Sequence, residues 1–293
     1  MYKSIEPFLR PNNKFVLICV DKESYDFLKN IKKNKLEIIF SERFESSEIL
    51  EIKNKRKIDE YCWTLKPVAM DFLFKYFKGC EWIVYMDSDI IVFESINDFL
   101  DNSSDVILTP HRPSNAYFLN EINKAGIFNA GFVAFRNSSN GLNALKWWKK
   151  KCLNKCSNVA SKDDYADQKY LNNLSSLFKN VNTNPDKSLN IAPWNIVDKS
   201  GYLNLKKKKV IFFHLQAFKI YNINFFDAYN GNFKISKNTL KHIYYPYIKI
   251  LKKSYVELKS FNCLFEQKKE FKINLIQIIK RILKNKNNYL WVK

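Results

Sequence analysis

Trp82-Ile83-Val84-Tyr85-Met86-Asp87-Ser88-Asp89-Ile90-Ile91-Val92 is the stretch on which the reading of this chain turns. Its apolar residues, several of them β-branched, form a run suited to a strand buried on both faces, as in the sheets of α/β proteins. Two carboxylates interrupt that run where a core strand would accept none. Residues two apart on an extended chain point the same way, so Asp87 and Asp89 can offer both carboxylates to one cation while Ser88 faces elsewhere. Oxygen donors so spaced suit a hard divalent ion, Mg²⁺ or Mn²⁺, of the kind that is shared with substrate phosphates. The plainer alternative is a polar strand end whose aspartates cap a turn.

Upstream, Lys14–Asp21 reads as a strand, Lys22–Lys32 as a helix and Leu36–Phe40 as a second strand, the repeating unit of a parallel sheet. A charged helical stretch, Glu45–Tyr61, then leads to Trp63-Thr64-Leu65-Lys66-Pro67. Proline favours the first turn of a helix and disfavours helical geometry in the residue before it. The sequence therefore predicts a helix over Pro67–Lys78 with Lys66 at its mouth, where the positive end of the helix dipole suits a phosphate. An exposed lysine with no role fits Lys66 equally.

Downstream, a short helix is expected at Ile96–Leu100 and strands at Asp105–Thr109 and Ile127–Phe135, the second with small residues at its centre. A helix over Asn140–Cys156 carries Leu145, Trp147 and Trp148 as core residues. Asp163 and Asp164 open a further helix, where its dipole satisfies them. Asn190–Asn195 is an aromatic loop, and Val210–His214 is a strand that ends in histidine. From Asn238 onward the chain is helical and basic. The expected division is a catalytic α/β domain over 1–258 and a basic amphipathic helical tail over 259–293.

The 293 residues, 46% hydrophobic, suffice for a substantial core, and the formal net charge of +20 favours an anionic partner. With only six glycines the chain has no G-x-x-x-x-G-K phosphate loop. Its six cysteines are dispersed, which suits reduced core thiols; Cys152 and Cys156 lack the second ligand pair that zinc needs. No signal-type leader and no membrane-spanning apolar run is visible, so the body is expected in the cytoplasm. In the tail, Phe271, Leu275, Ile278, Ile279 and Ile282 recur at helical spacing, with Lys268, Lys269, Lys272, Lys280, Arg281, Lys284 and Lys286 for charge. Such a helix can lie on an anionic membrane, with Tyr289 and Trp291 as interfacial anchors, or dock on the body of the protein.

Several motifs agree in order: Trp63–Pro67, Val84–Asp89, Phe128-Asn129-Ala130-Gly131-Phe132, Ala166-Asp167-Gln168-Lys169-Tyr170-Leu171 and Phe213-His214. Together they resemble the metal-dependent glycosyltransferases of the GT-A fold, most closely the family-8-like bacterial nucleotide-sugar transferases, over roughly Tyr2 to Tyr255. The resemblance implies a mixed sheet flanked by helices with a helical tail. It implies Asp87, Asp89 and His214 as ligands of Mn²⁺ or Mg²⁺ on a donor diphosphate, with Lys66, Ser88, Ala130, Gly131 and Lys219 binding the donor. It also implies that Asn129 and Gln168 touch the transferred sugar, that Asp167 binds hydroxyls or orients Gln168, and that anomeric configuration is retained. The expected partners are a nucleotide sugar, a glycan or glycolipid acceptor in surface polysaccharide or lipooligosaccharide synthesis, and the inner face of the cell membrane. Two departures stand out. Leu215-Gln216-Ala217-Phe218-Lys219 keeps a lysine but puts alanine or phenylalanine where the family has glycine. Tyr2-Lys3-Ser4-Ile5 resembles the end of the family's first helix, so the base-binding first strand is expected to be missing. Competing readings are a nucleotidyltransferase, an inactive truncated glycosyltransferase, and a basic nucleic-acid-binding protein supported by charge alone.

Overall fold

The computed structural model describes residues 1–101, 103–161, 163–196, 210–260, 275–283 and 287–292. In chain order it forms α1 (Tyr2–Ile5), β1 (Phe15–Cys19), α2 (Lys22–Leu28), β2 (Leu36–Phe40), α3 (Ser47–Lys55) and α4 (Ile58–Tyr76). Next come β3 (Trp82–Met86), β4 (Ile90–Val92), β5 (Val106–Pro110), α5 (Ala116–Ala125), β6 (Phe128–Arg136), α6 (Ser139–Asn154), α7 (Leu174–Leu177) and β7 (Val181–Asn182). The remainder is β8 (Phe212–His214), β9 (Lys219–Asn222), β10 (Phe225–Asp227), α8 (Lys237–Thr239), α9 (Tyr245–Ser260), α10 (Leu275–Leu283) and β11 (Tyr289–Trp291). These elements gather into two compact units, a larger one of 8–87 with 95–189 and a smaller one of 1–7, 88–94 and 190–293.

In the larger unit β1 and β2 pair in parallel from Phe15↔Leu36 to Cys19↔Phe40, as the strand-helix-strand pattern predicts. Asp21 caps the intervening α2 by accepting from Ser24 N at 2.7 Å, and the helix stops at Leu28. The main sheet has the order β3-β6-β5-β7. It is mixed: β6 is antiparallel to β3 and β5, whereas β7 is parallel to β5. Phe128 through Phe135 on β6 are all buried, the mark of a central strand covered on both faces. Met70, Leu73 and Phe74 of α4 join Leu145, Trp148 and Cys152 of α6 in the core over Val133 and Phe135. Trp148 is fully buried and stacks on Phe135, with ring centroids 5.8 Å apart.

Three expectations about elements are corrected. The helix predicted to begin at Pro67 runs from Ile58 to Tyr76 with Pro67 inside it. An interior proline costs about 3 kcal/mol, but Leu65, Val68, Met70, Leu73 and Phe74 are buried on this helix, each worth about 1.5–3 kcal/mol. Lys66 is thus in mid-helix and buried, not at a helix mouth. The helix expected to open at Asp163 is replaced by turns that lead to a 3-10 helix over Lys169–Asn173. The 82–92 run is two strands rather than one: β3 pairs with β6, whereas β4 pairs with β8. Ser88 and Asp89 lie in a turn between them, so the alternation of an extended chain does not apply there.

In the smaller unit β4 and β8 are antiparallel, Ile90 facing His214, and β11, β10 and β9 make a three-stranded antiparallel sheet. Of the tail, α10 and β11 are described; Phe271, Lys268, Lys269, Lys272, Lys284 and Lys286 lie outside the described residues. Arg281 of α10 grips the fully buried Asp227 of β10 with its NH1 at 2.5 Å and donates through NH2 to Tyr229 O at 2.6 Å. No helix among the described residues is long and apolar enough to cross a membrane.

Candidate active site

In the larger unit the site is built on the head of β6. Asn129 Oδ1 accepts from Gly131 N at 3.0 Å, and Gly131 O accepts from Asp87 N at 2.9 Å, so β6 fixes the backbone where β3 ends. His111 Nδ1 lies 3.1 Å from Ile127 O, and a carbonyl only accepts. Nδ1 therefore carries the proton, and Nε2 accepts from Asn129 Nδ2 at 3.4 Å. That interaction, with Gly131, sets which way the Asn129 amide points. Gln168 is tied by its Nε2 to Ala125 O at 3.1 Å, while its Oε1 lies 3.5 Å from Ala130 N.

Beneath this strand sits a buried ammonium between two carboxylates. Lys66 Nζ is 3.2 Å from Asp87 Oδ1, 3.2 Å from Asp167 Oδ2 and 3.3 Å from Ala130 O. It also stands 4.8 Å over the Tyr85 ring, and the Tyr85 hydroxyl donates to Asp87 Oδ1 at 2.7 Å. Burial works to lower the Lys66 pKa, but Asp167 and then Asp87 outweigh it and hold it well above the ordinary lysine value. Burial raises the Asp167 pKa against the pull of Lys66. Trp148 Nε1 donates to Asp167 O at 2.7 Å, and Ala166 before it has a left-handed φ of +49°. A non-glycine residue held there is strained, which the surroundings must enforce.

The smaller unit carries the other predicted ligands. His214 Nε2 is 3.1 Å from Asp89 Oδ1; the His214 side chain is 4% exposed and that of Asp89 41%. Backbone bonds fix both, with His214 N donating to Ile191 O at 2.7 Å and Leu215 N to Asp89 O at 2.8 Å. Trp194 meets the His214 ring edge to face at 5.4 Å. Around an octahedral ion bound at about 2.1 Å, neighbouring donor atoms are about 3.0 Å apart. The Asp89–His214 spacing is compatible with two donors to one such ion, and an imidazole nitrogen beside a carboxylate oxygen suits a borderline ion such as Mn²⁺ better than Mg²⁺. Ser88 is exposed, and Lys219 stands at the head of β9 opposite Asp227. Ala217, in the loop where the family pattern calls for glycine, has a φ of +62°. The backbone there takes a glycine-like conformation with an alanine in it.

No family model matches the chain. Two relatives from Bacillus subtilis (strain 168) are the uncharacterized proteins YfnF and YfnD. YfnF is 27% identical over 239 residues, 76% of this chain and 78% of that one. YfnD is 28% identical over 253 residues, 83% of this chain and 81% of that one. Among solved structures, the galactosyltransferase LgtC in complex with donor and acceptor sugar analogs is 16% identical with a TM-score of 0.40, covering 72% of this chain and 80% of that one. A glycosyltransferase involved in glycosylation of the major capsid of PBCV-1 is 13% identical with a TM-score of 0.42, covering 70% and 94%. Mouse xyloside xylosyltransferase 1 is 14% identical with a TM-score of 0.39, covering 72% and 90%. These solved structures are glycosyltransferases.

Each unit thus collects its own predicted residues: Lys66, Asp87, Asn129, Ala130, Gly131, Asp167 and Gln168 in the larger, Ser88, Asp89, His214 and Lys219 in the smaller. Sequence reasoning missed Tyr85, His111 and Trp194 as partners of these residues. For Tyr85 the signal was present, since it precedes Asp87 by two positions in the run that the sequence reads as extended, where such residues share a face; in the structure Tyr85 is on β3 and Asp87 follows the strand's last residue, Met86. For His111 and Trp194 the partners depend on strand pairing, and no local pattern announces them.

Proposed function

We propose that this chain is a glycosyltransferase that moves a sugar from a nucleoside-diphosphate donor to a glycan or glycolipid acceptor. What supports the reading most is the meeting of Lys66, Asp87, Asn129, Asp167 and Gln168 around the head of β6, from motifs spread between positions 66 and 168. Asp87, Asp89 and His214 would hold Mn²⁺ or Mg²⁺, which when bound supplies positive charge against the departing diphosphate. Ser88, Ala130, Gly131 and Lys219 bind the donor. Lys66 braces Asp87 and Asp167 from below. Asn129, its amide oriented by His111 and Gly131, and Gln168, anchored on Ala125, face the sugar. Asp167 orients Gln168 or takes sugar hydroxyls, and we assign the Gln168 amide oxygen to the reacting face, with anomeric configuration retained.

The setting we propose is surface polysaccharide or lipooligosaccharide assembly, with the protein in the cytoplasm and peripheral on the anionic inner face of the cell membrane. Exposed Ile279, Ile282, Leu283 and Trp291 beside Lys280 support that surface. A panel of nucleotide sugars with Mn²⁺, scored for hydrolysis and transfer beside Asp89→Ala, tests the function. Turnover of one donor by the wild type and not by the variant is expected; no binding and no turnover across the panel would refute it.

A further inference from the structure

Asp87 Oδ1 accepts the Tyr85 hydroxyl at 2.7 Å and lies 3.2 Å from Lys66 Nζ. A carboxylate oxygen offers about two lone-pair directions, so these donors occupy both, and a cation must take Asp87 through Oδ2. The arrangement is a rigid one. Tyr85 is on β3 two residues before Asp87, and its ring lies under the Lys66 ammonium at 4.8 Å. Asp87 N is pinned to Gly131 O at 2.9 Å, which removes backbone freedom from the carboxylate.

We propose that Tyr85 is a positioning residue that makes Asp87 a one-oxygen ligand and so favours a small octahedral ion, Mn²⁺ or Mg²⁺, over Ca²⁺. The inference rests on the cation site of the proposed function. Ca²⁺ takes six to eight oxygens at about 2.3–2.6 Å and accepts two-oxygen carboxylate ligation, whereas Mg²⁺ demands near-octahedral geometry at about 2.0–2.1 Å. Without the phenol, Oδ1 loses one of these two donors, the carboxylate is held less firmly, and the larger ion can gain a second oxygen.

The test is direct metal binding to the full chain. Mn²⁺ uptake is followed by loss of the free-ion paramagnetic resonance signal, and Ca²⁺ by competition, for the wild type and Tyr85→Phe. That substitution removes one oxygen and keeps the ring under Lys66. We expect the Mn²⁺-to-Ca²⁺ affinity ratio to fall about tenfold, the usual size of the effect for a group that orients a metal ligand. A general loss of stability would weaken both ions alike, so an unchanged ratio overturns the role of Tyr85. A wild-type chain that takes up no Mn²⁺ would instead refute the cation site and the inference with it. Infrared difference spectra of the wild type supply a measurement free of folding defects. Carboxylate stretching bands that move apart on adding Mn²⁺ are expected; spectra in which the only shifted pairs draw together mark two-oxygen ligation by Asp87 as well as Asp89 and overturn the proposal.

Discussion

Lys66 is a buried cation whose removal would strand two carboxylates, one of them, Asp167, only 3% exposed in its side chain. Breaking such a pair from one side costs about 3–5 kcal/mol. We therefore expect Lys66→Ala to lower the unfolding free energy by about that amount in urea titration, and Lys66→Met combined with Asp167→Asn to recover part of it. Equal losses in the single and double variants would mean that Asp167 is not the group stranded. Asp89 is different: with a side chain 41% exposed, Asp89→Ala should change stability by less than about 0.5 kcal/mol while abolishing metal-dependent transfer. Ala217 supplies a third test. Its left-handed φ of +62° costs about 1–2 kcal/mol for a residue with a Cβ, and glycine gives back roughly 0.5–1 kcal/mol in chain entropy. Ala217→Gly should thus stabilise by about 0.5 kcal/mol, and a destabilised variant would show that the loop is not strained. At this scale the sequence was legible where chemistry broke a pattern, as at Asp87 and Asp89 within an apolar run. It was not legible where a role comes from a neighbour brought by folding, as His111 is brought to Asn129 by the pairing of β5 with β6.

At the scale of elements, two of the three misreadings share a cause, which is that tertiary packing overrode local preference. Pro67 marks a helix start in an isolated peptide, but here the buried face of α4 carries the helix through it. The 82–92 run looks like one strand because its composition is uniform, while its two halves find different partners in β6 and β8. The tail shows a third instance. Its last strand, β11, pairs with β10 from Phe225↔Trp291 to Asp227↔Tyr289, and Arg281 holds Asp227 and Asn230. Cutting the chain near Ser260 would therefore remove a strand of a sheet along with any lipid contact. The membrane proposal is better tested by Ile282→Asp and Leu283→Asp, which alter residues that are 49% and 79% exposed and leave Arg281 in place. Cosedimentation with anionic vesicles should fall severalfold in the double variant and, for the wild type, fall with salt, as headgroup attraction is screened. Unchanged binding by the double variant would exclude this face. Arg281→Ala should instead act on stability, since Asp227 is fully buried, with a loss of about 3–5 kcal/mol.

For the whole molecule, pH sets the balance of buried charge, and the carboxyl groups divide into two kinds. Glu45, Asp71 and Asp105 are buried, which raises their pKa values, yet each ends below the ordinary value. Ser41, Tyr61 and Lys53 act on Glu45, Lys149 and Lys75 on Asp71, and Ser138, Asn180 and Asn140 on Asp105. A carboxyl depressed in the folded state contributes stability above its unfolded pKa, near 4, and that contribution is lost as pH falls through the folded value. Asp167 has the opposite sign, because burial raises its pKa; its folded form keeps a proton longer, so its contribution grows on acidification. Asp26, Glu60, Asp101 and Asp164 are also held below the ordinary value, so among the described residues seven groups against one make acid destabilising, and the net charge of +20 climbs further as carboxylates are neutralised, adding repulsion. On the alkaline side Lys66 is held well above 10.5, so its contribution is intact below the unfolded lysine value and is lost only as pH rises beyond it. Burial also raises the thiol pKa values of Cys19, Cys62, Cys80 and Cys152, and a thiol raised in the folded state loses its contribution as pH climbs past its unfolded value. We expect a broad stability plateau from about pH 5 to about pH 8.5 with a steep loss below pH 4. Asp105→Asn probes the acid limb, since an amide can still meet part of the Ser138, Asn140 and Asn180 network without titrating. Its melting temperature should be lower on the plateau and fall less steeply below pH 4 than that of the wild type; parallel acid limbs would show that Asp105 is not among the groups that set acid stability.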